Sequence, residues 1–166
     1  MLVQGVTLTG TYITDQLDIV RGNLQLYMAP TTYSGSGNTW VDSSSNGYDT
    51  TLVGSPAYNT TYFTYDGTTE YLDTNQSLAS ETFSVGAWFR TSAAGIKMLL
   101  SKETTAGWPW TYRIWLNGGT IVGDIAQSGG GSTSISSTLS TYNNGSWYYV
   151  MYTRNDSTQY LYVNGS

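Results

Sequence analysis

The 166-residue chain contains no cysteine and no histidine. Without cysteine it has no disulfide framework, no thiolate nucleophile and no zinc-thiolate site; without histidine it lacks the commonest general base and metal ligand. A Ser-His-Asp triad is therefore excluded within this chain. Charge is scarce as well, at 10% of residues. The six basic residues are scattered singly from Arg21 to Arg154, and the formal net charge is −5. Phosphate neutralisation needs clustered Lys and Arg, so nucleic acid is not an expected partner. No hydrophobic run approaches membrane-spanning length, and no membrane insertion is expected. The first residues, Met1 to Gly10, show neither a basic region nor a continuous apolar stretch of the secretory type, which predicts synthesis in the cytoplasm.

What the chain has in quantity is β-forming and turn-forming residues: 26 Thr, 20 Ser, 19 Gly and 15 Tyr. Thr and Tyr suit pleated surfaces and Gly permits tight turns, so the composition predicts an all-β fold. At this length one domain can bury a core without covalent staples. The clearest strand is Glu81 to Arg90, read as central: Phe83, Val85, Ala87 and Phe89 fall on one face, Ser84, Gly86, Trp88 and Arg90 on the other. The first face wants a core. The second, small and polar apart from Trp88, is a candidate site surface.

Residues 1–22 read as an extended N-terminal arm ending in a short turn stopped by Gly22, and 23–166 as the sandwich domain. A strand is expected over Asn23 to Met28, followed by a loop from Thr31 to Gly47 anchored by Trp40, with Asp42 capping nearby amides in an Asx-turn. Tyr58 to Tyr65 alternates as a strand, and Asp66-Gly67 predicts a hairpin to Glu70–Asp73. Later strands are expected at Ile96–Ser101, Tyr112–Leu116, Thr120–Gln127 and Ser132–Leu139. Trp147–Arg154, apolar on both faces, reads as internal, and Tyr160–Val163 follows it. The glycine run 129–131 lacks the Lys and the following helix of a phosphate loop and reads as a hairpin tip. The sequons at Asn59, Asn75, Asn144, Asn155 and Asn164 follow from a composition rich in Asn, Ser and Thr.

Between strands, Gly107-Trp108-Pro109-Trp110 places two indoles around a proline that forbids regular pairing, so at least one ring should project outward. Trp108 and Trp110, with Trp88, are the candidate carbohydrate-binding rings, since aromatic faces stack on sugars while neighbouring polar groups bond hydroxyls. Asp42, Asp49, Asp66, Asp73 and Asp124 could supply oxygens to calcium, but no contiguous loop has the required spacing, and no cofactor is expected.

An ordered set of segments then carries a resemblance: Trp40-Val-Asp42 with Asn46-Gly47, Tyr65-Asp66-Gly67 with Glu70-Tyr71, Phe83-Ser-Val-Gly-Ala-Trp88, Gly145-Ser-Trp147-Tyr-Tyr-Val, and Leu161-Tyr-Val-Asn-Gly165. From about Asn23 onward the chain resembles the laminin-G-like branch of the concanavalin A-like lectin/glucanase superfamily. The resemblance implies two antiparallel sheets in a jelly-roll sandwich, with ligand on the concave face or its rim loops. Ser43-Ser44-Ser45 departs from the family's Leu-Ser-Gly at that loop. Family members also continue beyond the Tyr-Val-Asn-Gly turn, so the closing strands are expected outside this sequence, in a longer chain or a second subunit. Glycosidases of the superfamily carry a Glu-x-Asp-x-Glu strand, which is absent here, and catalysis is not expected. The resemblance and composition together imply a virion structural protein of a tailed bacteriophage, a fibre or decoration protein partnered by other virion proteins or copies of itself. The alternative is a carbohydrate-binding module of a bacterial surface or secreted protein, partnered by cell-surface glycans.

Overall fold

The computed structural model describes residues 23–74, 82–102, 111–126 and 131–166. The arm over 1–22, Trp108, Trp110 and most of the glycine run lie outside the described residues. The chain divides into two compact units, with the boundary at Gln76/Ser77. Both are built from antiparallel strands, so the fold is all-β, a sandwich of the concanavalin A-like kind.

The unit containing residues 23–74 holds strands β1 (Thr39–Trp40), β2 (Thr50–Val53), β3 (Ala57–Tyr58), β4 (Phe63–Thr64) and β5 (Tyr71–Asp73). Its three-stranded sheet has the order β1-β2-β5, and β3 and β4 form a separate hairpin. Trp40 anchors the unit as expected: it is fully buried, its indole N–H donates to Ala29 O at 2.8 Å, and its ring lies 4.7 Å from that of Phe63. Tyr33 and Tyr58 pack edgewise and tilted on the same Phe63 ring. Such aromatic pairs add to the area they bury by about 0.5–1.5 kcal/mol each.

Three expectations for this unit are corrected. Asn23 to Met28 is not a strand: after Asn23 it runs as irregular chain into a 3-10 turn at Pro30–Thr32, because its Tyr27 amide and carbonyl bond to the Asp42 loop rather than to a ladder. Tyr58 to Tyr65 is not one strand but parts of two, folded back at 59–62, where Thr60 takes a φ of +42°. Asp66-Gly67 does turn the chain, yet β4 and β5 do not pair, and β5 joins β2 instead with Leu72 opposite Leu52.

The second unit contains β6 (Thr82–Arg90), β7 (Ile96–Lys102), β8 (Tyr112–Asn117), β9 (Thr120–Ala126), β10 (Ser132–Ser136), β11 (Trp147–Asn155) and β12 (Thr158–Val163). Two sheets result, β10-β9-β8-β7 and β12-β11-β6. Gly118-Gly119, with φ of +57° and +97°, forms the two-residue turn between β8 and β9, a conformation that side chains bearing a Cβ resist. Between the sheets Phe83 stacks on Tyr112 at 4.7 Å and meets Tyr152 edgewise at 5.9 Å. Ile114, Leu116, Ile121, Phe89 and Val150 complete the buried core. The alternation read in β6 holds, since Ala87 and Phe89 are buried while Thr82, Ser84, Gly86 and Arg90 are exposed. Its centrality is corrected: among the described residues β6 pairs with β11 alone, and β11 is the strand flanked on both sides.

Candidate functional site

Antiparallel register fixes which side chains share the outer face of the β12-β11-β6 sheet. Trp88 stands opposite Tyr149, Arg90 opposite Trp147, Gly86 opposite Met151, and Ser84 opposite Thr153. On the other side of β11, Met151 faces Tyr162 and Thr153 faces Tyr160. Since Ala87 and Val150 point into the core, these residues all point away from it. The result is a surface of five aromatic rings around small polar positions.

Trp88 and Tyr149 form the centre of one end. Their ring centroids are 5.5 Å apart with an interplanar angle of 48°, and both rings are half-buried. Gly86 permits this arrangement: a Cβ placed there would meet the Tyr149 hydroxyl at 2.8 Å, so the phenol lies across the strand where any other residue would stand. Burial pushes the Tyr149 phenol above its ordinary pKa, and it stays neutral in ordinary buffers. The backbone beneath is pinned by Asn164, whose side-chain oxygen accepts from Tyr149 N–H at 2.9 Å while its own N–H donates to Tyr149 O. Beside this pair the Arg90 guanidinium lies 5.1 Å from the Trp147 ring centre. At the opposite edge Tyr160 and Tyr162 run nearly parallel, 17° apart with centroids at 6.3 Å, and are 46% and 39% exposed. Ser84 and Gly86 on β6 are exposed, with Met151 and Thr153 of β11 between them and these two tyrosines. Among the described residues of the three strands, no carboxylate lies on this face.

A family model described as the concanavalin A-like lectin/glucanases superfamily matches residues 66–166. The chain belongs to this superfamily. A comparison with curated proteins found no match. The matched stretch begins at Asp66, later than the expected start near Asn23, and includes all three strands of the aromatic face. In a lectin-like sandwich such a face can do one kind of chemistry well: it offers flat apolar rings to stack on, with hydroxyls and amides alongside.

Of the three candidate rings, the structure places Trp88 on this face; Trp108 and Trp110 lie outside the described residues. The register adds Tyr149, Trp147, Tyr160, Tyr162 and Arg90. Alternation within each strand already put these residues on common faces, but nothing local shows that β11 lies beside β6 or β12 beside β11.

Four of the described carboxylates, those of Asp42, Asp49, Asp66 and Asp124, accept hydrogen bonds elsewhere in the fold. Asp42 is buried, which raises its pKa, but hydrogen bonds from the Ser44 hydroxyl and the amides of Tyr27, Ser44 and Tyr48 outweigh burial and hold it below the ordinary range. The expected Asx-turn is thus present, with two further amides gathered onto the same group. Asp49 accepts from the Asp42 amide at 3.0 Å. Asp66 accepts from the amides of Thr68, Thr69 and Glu70 and from both threonine hydroxyls, which holds its pKa well below the usual carboxylate range. Asp124, 2% exposed, takes Arg113 at 2.8 Å and the Trp115 indole N–H at 2.9 Å on a single oxygen. No group of three or more acidic side chains among the described residues is placed to hold a metal ion.

Proposed function

We propose that the chain is a non-catalytic recognition module that binds carbohydrate on the outer face of β6, β11 and β12. The observation that carries this reading is the Trp88–Tyr149 pair, presented half-exposed beside exposed Ser84 on a face whose described residues include no carboxylate. Tryptophan and tyrosine give the most binding energy per side chain at recognition surfaces, because each brings a large rigid area at small entropic cost. A glycosidase needs two carboxyl groups spaced across the bond it cleaves; the described face supplies none, which favours binding over turnover.

The biological setting we propose is the fibre or decoration layer of a tailed-bacteriophage virion, with other virion proteins or further copies of the chain as neighbours. Support comes from the cysteine-free, Ser-, Thr- and Gly-rich composition, suited to an exposed particle surface. A bacterial surface or secreted protein would use the same face in the same way.

A glycan array probed with the wild-type protein and a Trp88→Ala variant tests the binding reading. Retained melting temperature with lost glycan signal is expected; equal signals from both proteins would remove this face from consideration. Co-purification with phage particles tests the setting.

A further inference from the structure

We infer that β12 is an assembly edge, along which two copies of the chain pair antiparallel about a two-fold axis and join their β12-β11-β6 sheets into one. The inference goes beyond the carbohydrate reading and does not depend on it.

Hydrogen-bond direction shows which backbone groups this edge presents. Asn164 N–H donates to Tyr149 O, and the Asn164 side-chain oxygen accepts from Tyr149 N–H. Counting back in steps of two, Tyr162 and Tyr160 also direct their backbone groups at β11, while Val163, Leu161 and Gln159 direct theirs the other way. Val163 is already engaged. Its N–H donates to Ser166 O at 2.9 Å and its carbonyl accepts from Ser166 N–H at 3.2 Å, across Asn164-Gly165 at φ of +54° and +87°. Among the described residues, no strand takes up the outward groups of Leu161 and Gln159.

The side chains of the strand do nothing to close the edge. Soluble proteins guard free edges with Lys, Pro, a bulge or an inward-pointing charge. Thr158–Val163 has no such residue and pairs with β11 without a register shift. The seam beneath it is open as well. Leu161 and Val163 stand opposite the fully buried Tyr152 and Val150, yet are themselves only half-buried. Ile135 is half-buried too, on β10, which lies against β12. An added strand would satisfy the backbone groups and cover this apolar seam.

A second copy fits these requirements. The net charge of −5 opposes self-association in general, but residues 157–166 contain no charged side chain. With Gln159 opposite the second copy's Leu161, and Leu161 opposite its Gln159, every outward N–H and C=O of the two residues finds a partner. Shifting the strands by one residue each way would leave part of them unpaired. In this register Tyr160 lies on the axis against its own counterpart, and Asp156 falls opposite Asn164 rather than another Asp156. Antiparallel pairing puts the axis perpendicular to the sheet, so both aromatic faces end on the same side.

The experiment combines sedimentation equilibrium with amide hydrogen exchange on the full chain. At high concentration the protein is expected to weigh about twice 18.1 kDa and to dissociate on dilution. The Gln159 and Leu161 amides should exchange about tenfold or more slowly in the dimer. Tyr160→Lys and Tyr160→Glu each set like charges together on the axis and should be monomeric, and an equimolar mixture of the two should recover the dimer. Leu161→Pro, which removes an outward N–H and no bond to β11, should be monomeric as well. The exchange measurement uses the wild type alone, so it decides even where a substitution prevents folding. A monomeric wild type, a dimer whose Gln159 and Leu161 amides exchange as fast as the monomer's, folded Tyr160 variants that stay dimeric, or a mixture that stays monomeric would each overturn the inference. Slowed exchange at these two amides in a monomer bound to an extended peptide would overturn it too, by giving the edge a different partner.

Discussion

The α-carbon of Gly123 on β9 lies directly against the ring of Tyr152 on β11, so close that a Cβ added there would sit 2.8 Å from both Cδ2 and Cε2. The two sheets of the C-terminal unit meet here without room for a side chain on Gly123. The ring is fully buried and its hydroxyl is tied to Gln159 at 2.6 Å, so it cannot swing aside.

Gly123→Ala is therefore expected to destabilise the protein by about 1–3 kcal/mol through overpacking. Urea unfolding of the variant measures this, and Tyr152→Leu in the same background should recover part of the loss. A Gly123→Ala protein as stable as wild type would show that the sheets are free to separate at this point.

Asp124 offers a second test in the same sheet. Removing its carboxylate leaves the Arg113 guanidinium and the Trp115 indole N–H without their shared acceptor. Breaking such a pair costs on the order of 2 kcal/mol, reduced here because Arg113 is partly exposed to water. Asp124→Ala should lower the unfolding free energy by about that amount, whereas Asp124→Ala/Arg113→Met should recover part of it.

Acid should loosen the unit built around Asp42. Its folded pKa is depressed below the unfolded value of about 3.9, so its stabilisation is complete above that value and is lost as pH falls through the folded one. Wild-type stability should fall steeply below about pH 4. Asp42→Asn should be less stable at neutral pH and show a flatter acid limb in circular dichroism. Parallel acid limbs for the two proteins would assign the proton uptake to other groups.

Alkali acts in the opposite sense. Burial raises the phenols of Tyr65, Tyr112 and Tyr152, the first also through Glu70, and the last through Asp124 against an opposing effect of Arg154. Their contribution is complete below the unfolded tyrosine value of about 10 and declines as pH rises beyond it. Ultraviolet titration should show a late group of tyrosines ionising together with the loss of far-ultraviolet dichroism. A single early transition for all 15 tyrosines, with the fold intact, would contradict their burial.

The strands themselves were legible because alternation is local: β6, β8 and β11 follow directly from the residues at successive positions. Turn residues were legible where glycine marks them, as at Gly118-Gly119, and illegible at 59–62, where the hairpin bends through Thr60 without a glycine. Pairing was the least legible level. The Asp66-Gly67 turn is present, but Glu70 is drawn back onto the Asp66 amide at 2.7 Å, and β5 is delivered to β2. The candidate site follows the same rule. Trp88 could be singled out as the lone aromatic side chain on an otherwise polar face of its strand, but its partner Tyr149 is 61 residues away, and only the register of β6 against β11 brings them together. Tyr160 and Tyr162 required a second register on top of the first.

The most direct measurement is a nitrogen-15 NMR titration of the six tryptophan indole N–H signals with glycan taken from the array. Trp88 and Trp147 should shift, while buried Trp40 and the Asp124-bound Trp115 stay in place. Movement confined to Trp108 and Trp110, with Trp88 and Trp147 still, would contradict the account and place recognition elsewhere.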